Sequence, residues 1–137
     1  MPVDTQRLNN LMKQFVATTS DIQGAALVTI DGLPMATALP TKLDEDRVSA
    51  MAAAILSLGE KISFELMRGS TSRILVEGQD GYALLTSCSD ELVLLVLAHH
   101  SAKLGVLMFE IKRLLPVVKK LVGESIEAPE PSLVSKS

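Results

Sequence analysis

Apolar residues along this chain recur first at helical spacing, then in short strand-like runs, and finally at helical spacing again. Leu8, Leu11, Met12, Phe15 and Val16 fall at i, i+3, i+4, i+7 and i+8, which predicts an amphipathic helix with one buried face, started by Asp4 or Thr5. After the polar break Thr18-Thr19-Ser20-Asp21, the segment from Ala25 to Ile30 reads as a strand, and a second is expected from Leu33 to Leu39. Asp31-Gly32 between them fits a two-residue hairpin of type I′, whose central positions both need positive φ. Pro34 lacks an N–H, so the second strand should lie at a sheet edge or pair on one side only.

Asp44, Glu45 and Asp46 then set acid against the positive end of a long helix that Gly69 is expected to stop. This helix is apolar on two opposite faces. At about 100° per residue, Val48, Met51, Ile55, Leu58, Ile62 and Leu66 form one stripe, while Ala50, Ala53, Ala54, Ser57 and Phe64 lie across the axis from it. One stripe can pack on the chain's own core. The other, small side chains ending in one aromatic, suits a second protein surface better than water. The competing reading is local shielding by a loop or by the first helix, since alanine by itself is frequent on exposed helix faces. Glu60 and Lys61 beside this face are either its polar rim or simply solvated.

Ser70-Thr71-Ser72 leads to a third strand, Arg73 to Glu77, and Gly78-Gln79-Asp80-Gly81 turns the chain into a fourth, Tyr82 to Ser87. A fifth runs from Glu91 to Ala98, and its core, Leu92 to Leu97, has no polar alternation. Such a strand should be buried on both faces, central in a sheet with helices on both sides. The third strand is a second interface candidate: Ser70 to Arg73 suit edge protection, whereas Ile74, Leu75 and Val76 suit pairing with a symmetry mate. Ser101 can cap a last helix in which Leu104, Leu107, Met108, Ile111, Leu114, Leu115, Val118 and Leu121 keep helical period, with Pro116 bending it but not ending it. Residues 1–122 read as one domain, and the polar, proline-bearing run 123–137 as a disordered tail.

Composition narrows the function classes. A chain of 137 residues, 47% hydrophobic, can bury one real core, and with 3% aromatic residues that core must be aliphatic. A net charge of -3 offers no general attraction to phosphate backbones or anionic lipid, so no nucleic acid partner is expected. Cys88 is the only cysteine, which excludes an internal disulfide, Met1 to Arg7 show no apolar signal core, and the longest apolar run, Leu92 to Ala98, is too short to span a membrane. The chain therefore reads as cytoplasmic, without membrane insertion. No catalytic constellation is visible. His99 and His100 are neighbours expected to point to opposite sides of an extended segment, against a shared metal, and Cys88 reads as a small buried hydrophobe rather than a reactive thiol. Gly78 and Gly81 are hairpin glycines, since no phosphate-loop spacing occurs, and Asp44 with Asp46, or Asp80 with Glu91, fit a helix start and solvated turns better than an acid/base couple. Neither enzymatic activity nor a metal or cofactor is expected.

The order of these elements resembles the Roadblock family, which includes the dynein light chains of that name and the gliding-motility regulator MglB. The likeness is carried by Gly24-Ala25-Ala26-Leu27-Val28-Thr29-Ile30-Asp31-Gly32-Leu33-Pro34-Met35-Ala36, by Ile55-Leu56-Ser57-Leu58-Gly59-Glu60 in the long helix, by Arg73-Ile74-Leu75-Val76-Glu77-Gly78 with Asp80-Gly81-Tyr82, and by Ala102-Lys103-Leu104-Gly105-Val106. It extends over nearly the whole chain to about Leu121.

The resemblance implies an α+β fold of profilin-like order, α-β-β-α-β-β-β-α, with a five-stranded antiparallel sheet between one long helix and the two terminal helices. It also implies a homodimer joined through the third strands, here at Arg73, Ile74 and Val76, with the long helices side by side. The paired helices would bind a small Ras-like GTPase through Ala50, Ala53, Ala54, Ser57, Lys61 and Phe64. The expected role is thus a dimeric binding module that regulates or positions such a GTPase by biasing its conformation. The alternative is a structural scaffold subunit of light-chain type without effect on GTP turnover. A small-ligand sensor is a third reading, for which the sequence shows no convergent polar cluster. The resemblance assigns no role to the tail, and Pro116 departs from it.

Overall fold

Asp4 accepts the Arg7 amide hydrogen on Oδ1 at 3.2 Å and so starts α1 (Thr5–Thr18) in a computed structural model that describes residues 4–126. There follow β1 (Ile22–Thr29), β2 (Pro34–Ala38), α2 (Glu45–Glu65), β3 (Arg73–Gly78), β4 (Gly81–Ser87), β5 (Leu92–His99) and α3 (Leu104–Ile126). Every strand pair is antiparallel and the order across the sheet is β2-β1-β5-β4-β3. The expected α+β architecture is therefore observed. β5 is the middle strand, and Pro34 sits on an edge strand, where a missing donor leaves no ladder position unfilled.

Alternation along β5 divides the core in two. Leu92, Leu94, Val96 and Ala98 join Leu8 and Met12 of α1 and Leu107, Ile111 and Val118 of α3 on one side. Val93 and Leu95 meet Ala52 and Leu56 of α2 on the other. Burial on both sides is why the strand has no polar position. Two helices thus share one face of the sheet, and α2 has the other to itself.

The two-residue hairpin expected at Asp31-Gly32 is a three-residue loop. Only Gly32 has positive φ, +92°, its N–H bonds Thr29 O at 2.9 Å, and Thr29 N bonds Leu33 O at 2.9 Å. A tight turn followed by one left-handed glycine meets the strand twist with a single special residue where type I′ needs two. Ser101 does not cap α3, which begins at Leu104. Its hydroxyl lies 2.8 Å from His99 Nδ1 and 3.3 Å from Asp21 Oδ1, tying the end of β5 to the approach to β1. The imidazoles of His99 and His100 do not diverge either: the strand ends at His99 and the chain turns, which brings the ring centroids to 4.1 Å. α3 continues through Pro116 to Ile126, so helix extends past the boundary expected at 122, and residues 127–137 of the expected tail lie outside the described residues. Among the described residues no helix is long and apolar enough to cross a membrane.

Cys88 is buried, and desolvation pushes its thiol from 9.0 up to about 12, opposed weakly by the Lys119 charge. Because ionisation is harder in the folded chain, the stability this thiol contributes is complete below the unfolded value and is lost as pH rises toward about 12. At about pH 8, iodoacetamide is expected to modify the urea-unfolded chain at least ~100-fold faster than the native one, read by mass spectrometry. Equal rates would contradict the burial.

Candidate protein-binding surface

Both ends of α2 are closed by local bonds. Asp44 Oδ1 accepts the amide hydrogens of Asp46 and Arg47, and the Thr37 hydroxyl of β2 donates to the Glu45 carboxylate at 2.6 Å. At the other end Arg68 N–H reaches Ser63 O at 2.7 Å and Met67 N–H reaches Phe64 O at 3.0 Å. This is a Schellman stop with Met67 in the left-handed position, φ 59°, and it ends the helix at Glu65, ahead of the expected Gly69. Gly69 is nonetheless left-handed too, φ +85°, and its carbonyl accepts the Ser63 hydroxyl.

The face that α2 turns to the sheet is a stripe of mostly small residues. Ser49, Ala52 and Leu56 are buried and Gly59 is half-buried. A Cβ on Gly59 would come within 2.5 Å of Ile74 Cδ1, so the tip of the Ile74 side chain packs directly against the helix backbone there. The aliphatic stripe expected to face the core is shifted to the side: Val48 and Ile55 are half-buried, but Met51 and Leu58 are each 57% exposed, and Ile62 and Leu66 are also in water. Small side chains let the axis approach the sheet, and the larger neighbours splay outward. The Ser49 hydroxyl is buried at this seam without a hydrogen-bond partner.

Around the outside of the helix, about 110° from the aliphatic flank, runs a second surface. Ala50, Ala54, Ser57 and Lys61 are exposed on it, and Phe64 is 78% exposed. Ala53 lies at its margin and is half-covered by the chain's own hairpin: a Cβ on Gly32 would stand 3.4 Å from Ala50 Cα and 3.7 Å from Ala53 Cβ. Shielding by a loop is therefore real at Ala53 and absent at Phe64.

β3 is the free edge on the far side of the sheet from β2, and nearly all of it is exposed. Ile74 and Val76 share the sheet face that carries α2, whereas Arg73 lines the side facing α3. Val76 lies toward the β3–β4 turn, at the end opposite the hairpin tip that touches Ala53, and so falls on the same side of α2 as Leu58 and Ile62. Sequence periodicity sets Met51, Leu58 and Ile62 toward the core, whereas they form the exposed flank on the β3 side of α2. The available signal was the spacing of Ser49, Ala52, Leu56 and Gly59, which marks the line of closest approach. Among the described residues no three His, Cys, Asp or Glu side chains gather as metal ligands.

Residues 8–98 match the Roadblock/LC7 domain. The uncharacterised protein MJ0310 of Methanocaldococcus jannaschii is 31% identical over 103 residues, which is 75% of this chain and 90% of that protein. Among solved structures, the Roadblock/LC7 domain from Streptomyces avermitilis superposes with a TM-score of 0.74 at 25% identity, covering 82% of this chain and 94% of that one. MglB of Myxococcus xanthus superposes with a TM-score of 0.84 over 95% of this chain and 98% of its own, at 14% identity, and is alike in fold.

Met67 holds a conformation that L residues enter at a cost, while its side chain is 85% exposed and packs on little. Met67→Gly is expected to raise stability by about 0.5–1 kcal/mol, read as a higher urea midpoint at fixed protein concentration. A lower midpoint would contradict the left-handed assignment.

Proposed function

Because the chain belongs to the Roadblock/LC7 family, we propose that it acts as a homodimeric binding module that regulates or positions a small Ras-like GTPase. One observation supports this above the others: α2 seats itself on its sheet through small residues and leaves two further apolar surfaces in water. The aliphatic flank of Met51, Leu58 and Ile62 adjoins the open β3 edge with Arg73, Ile74 and Val76. A second copy would supply hydrogen bonds to that edge and apolar cover to that flank in one step. The outer surface, Ala50, Ala54, Ser57, Lys61 and Phe64 with Ala53 at its margin, would then be doubled across two adjacent helices. Covering Phe64 alone is worth about 2–3 kcal/mol, enough to make it an anchor.

On this reading the effect on the GTPase is conformational. Docking on its switch segments favours one arrangement of the GTPase's own catalytic groups, and the chain acts as a platform rather than as an enzyme. The nearest arginines are turned to other tasks: Arg68 Nε donates to its own Leu66 carbonyl at 3.1 Å, and Arg73 lies on the α3 side. The place of action would be the cytoplasm, where such GTPases work.

Leu58→Asp puts a carboxylate into the flank twice per dimer and is expected to weaken self-association at least ~100-fold, about 3 kcal/mol. Sedimentation velocity reads this, and a wild-type chain that stays monomeric overturns the dimer. Phe64→Asp should keep the dimer and lose capture of GDP- or GTP-loaded Ras-like GTPases from the same cell. Capture untouched by Phe64→Asp refutes the surface. Capture by the wild type with GTP hydrolysis and nucleotide exchange both unaltered assigns the scaffold alternative instead.

A further inference from the structure

The face opposite α2 carries a depression that α1 and α3 do not fill. Where α3 passes the β3 edge, Gly105, Phe109 and Lys112 of the helix look across to Arg73, Leu84 and Thr86 of the sheet over a groove of about 420 Å³. Leu84 is buried in its floor, and Phe109 at its rim is 58% exposed, with Val106 and Leu75 also in water nearby. The Arg113 guanidinium stands 5.8 Å from the centre of the Phe109 ring and pairs with Glu110 at 3.5 Å, so the ring is flanked by a cation already engaged.

The charge of this groove runs against that of the chain. Arg73 and Lys112 line it without a carboxylate, although the chain carries 16 acidic residues to 13 basic ones. The larger groove at the far end of α3, about 910 Å³, has the opposite character, with Asp31, Asp90 and Glu91 against Lys119. An aliphatic floor between two cations is complementary to leucine or isoleucine side chains flanked by Asp or Glu. A nucleic acid strand would need a row of cations and stacking rings, and a membrane surface a broad cationic face. Here there are two cations and one ring, set in a short trough.

We propose that this groove docks an acidic, leucine-bearing segment of a partner protein, its aliphatic side chains between Phe109 and Leu84 and its carboxylates on Arg73 and Lys112. The occupant would be held on the face of the sheet away from α2. A second protein can then be bound while the α2 surface is engaged, and the inference does not depend on what α2 binds.

Gly105 provides a steric probe. A Cβ at this position meets no heavy atom within 4 Å and its φ is not positive, so Gly105→Leu should fold and obstruct the groove. The test is selection of random peptides about 16 residues long, displayed on phage, on the full-length chain. The enriched sequences should pair Leu or Ile with at least two Asp or Glu, as complementarity to the two cations requires. By fluorescence anisotropy, the best synthetic peptide should bind at least about tenfold more weakly to Gly105→Leu and to Lys112→Glu. A peptide with one Glu changed to Lys should recover binding to Lys112→Glu, and Phe64→Asp should bind as the wild type does. No enrichment, enriched peptides without acid, or binding that survives both groove variants would overturn the proposal. So would phosphatidylserine vesicles that bind the wild type but not Lys112→Glu, which would assign a membrane surface, or a change of oligomeric state in Gly105→Leu, which would assign a second copy of the chain.

Discussion

The close approach of α2 to its sheet governs what the remaining surface can do. Ser49, Ala52, Leu56 and Gly59 lie on the line of contact, and the tip of the Ile74 side chain fills the space where a side chain at position 59 would stand. α2 starts beside β2, where Glu45 meets Thr37, and reaches the β3 side, where Gly59 meets Ile74, so it lies across the strands. A helix about 10 Å wide cannot cover strands about 26 Å long, and strips of sheet stay open on either flank. The large residues of α2 are displaced toward those flanks. They are apolar, and the buried Ser49 hydroxyl adds an unmet bond of about 1–3 kcal/mol to the cost of seating the helix so close.

β3 follows from the same constraint. Among the described residues its only strand neighbour is β4, and its outer row of N–H and C=O groups lies beside an apolar strip formed by Val76 and the α2 flank. Edges of this kind invite pairing unless they are charged, bulged or covered. Arg73 and Glu77 bracket the edge, but between them stand Ile74, Leu75 and Val76, a composition suited to a partner strand. The α3 side of the same edge is different. There Arg73 and Lys112 make a small cationic trough, so one strand separates two surfaces of unlike chemistry.

Elements whose cause is local were legible in the sequence. The unbroken apolar run of β5 requires two buried faces, Pro34 requires an edge or one-sided pairing and lies on an edge, and of the two possible caps Asp4 and Thr5 it is Asp4 that starts α1, as Asp44 starts α2. Features decided by a balance between neighbours were not. Hairpins place one or two residues in the left-handed region, and here Gly32 alone takes it. Met67, a poor candidate by residue type, stops α2 because the Ser63 and Phe64 carbonyls are within reach of the next amides. The rotation of α2 departs from the sequence pattern for a related reason: hydrophobicity ranks Leu58 above Ala52 for burial, whereas the helix settles on the sheet along its small residues Ser49 and Ala52 and leaves Leu58 outside. Of the candidate surface, Phe64 is exposed on the outer side of α2 and Val76 on the β3 edge, Ala53 is partly covered by the hairpin, and the exposure of Met51, Leu58 and Ile62 emerges only from the fold.

Hydrogen exchange along β3 as a function of protein concentration bears most directly on the central claim, that a second polypeptide covers the flank of α2 and the edge beside it. The β3 amides that do not bond to β4 should exchange quickly in dilute solution and become protected as concentration rises, together with slower exchange around Leu58 and Ile62. Exchange at those amides that is fast and indifferent to concentration would contradict it.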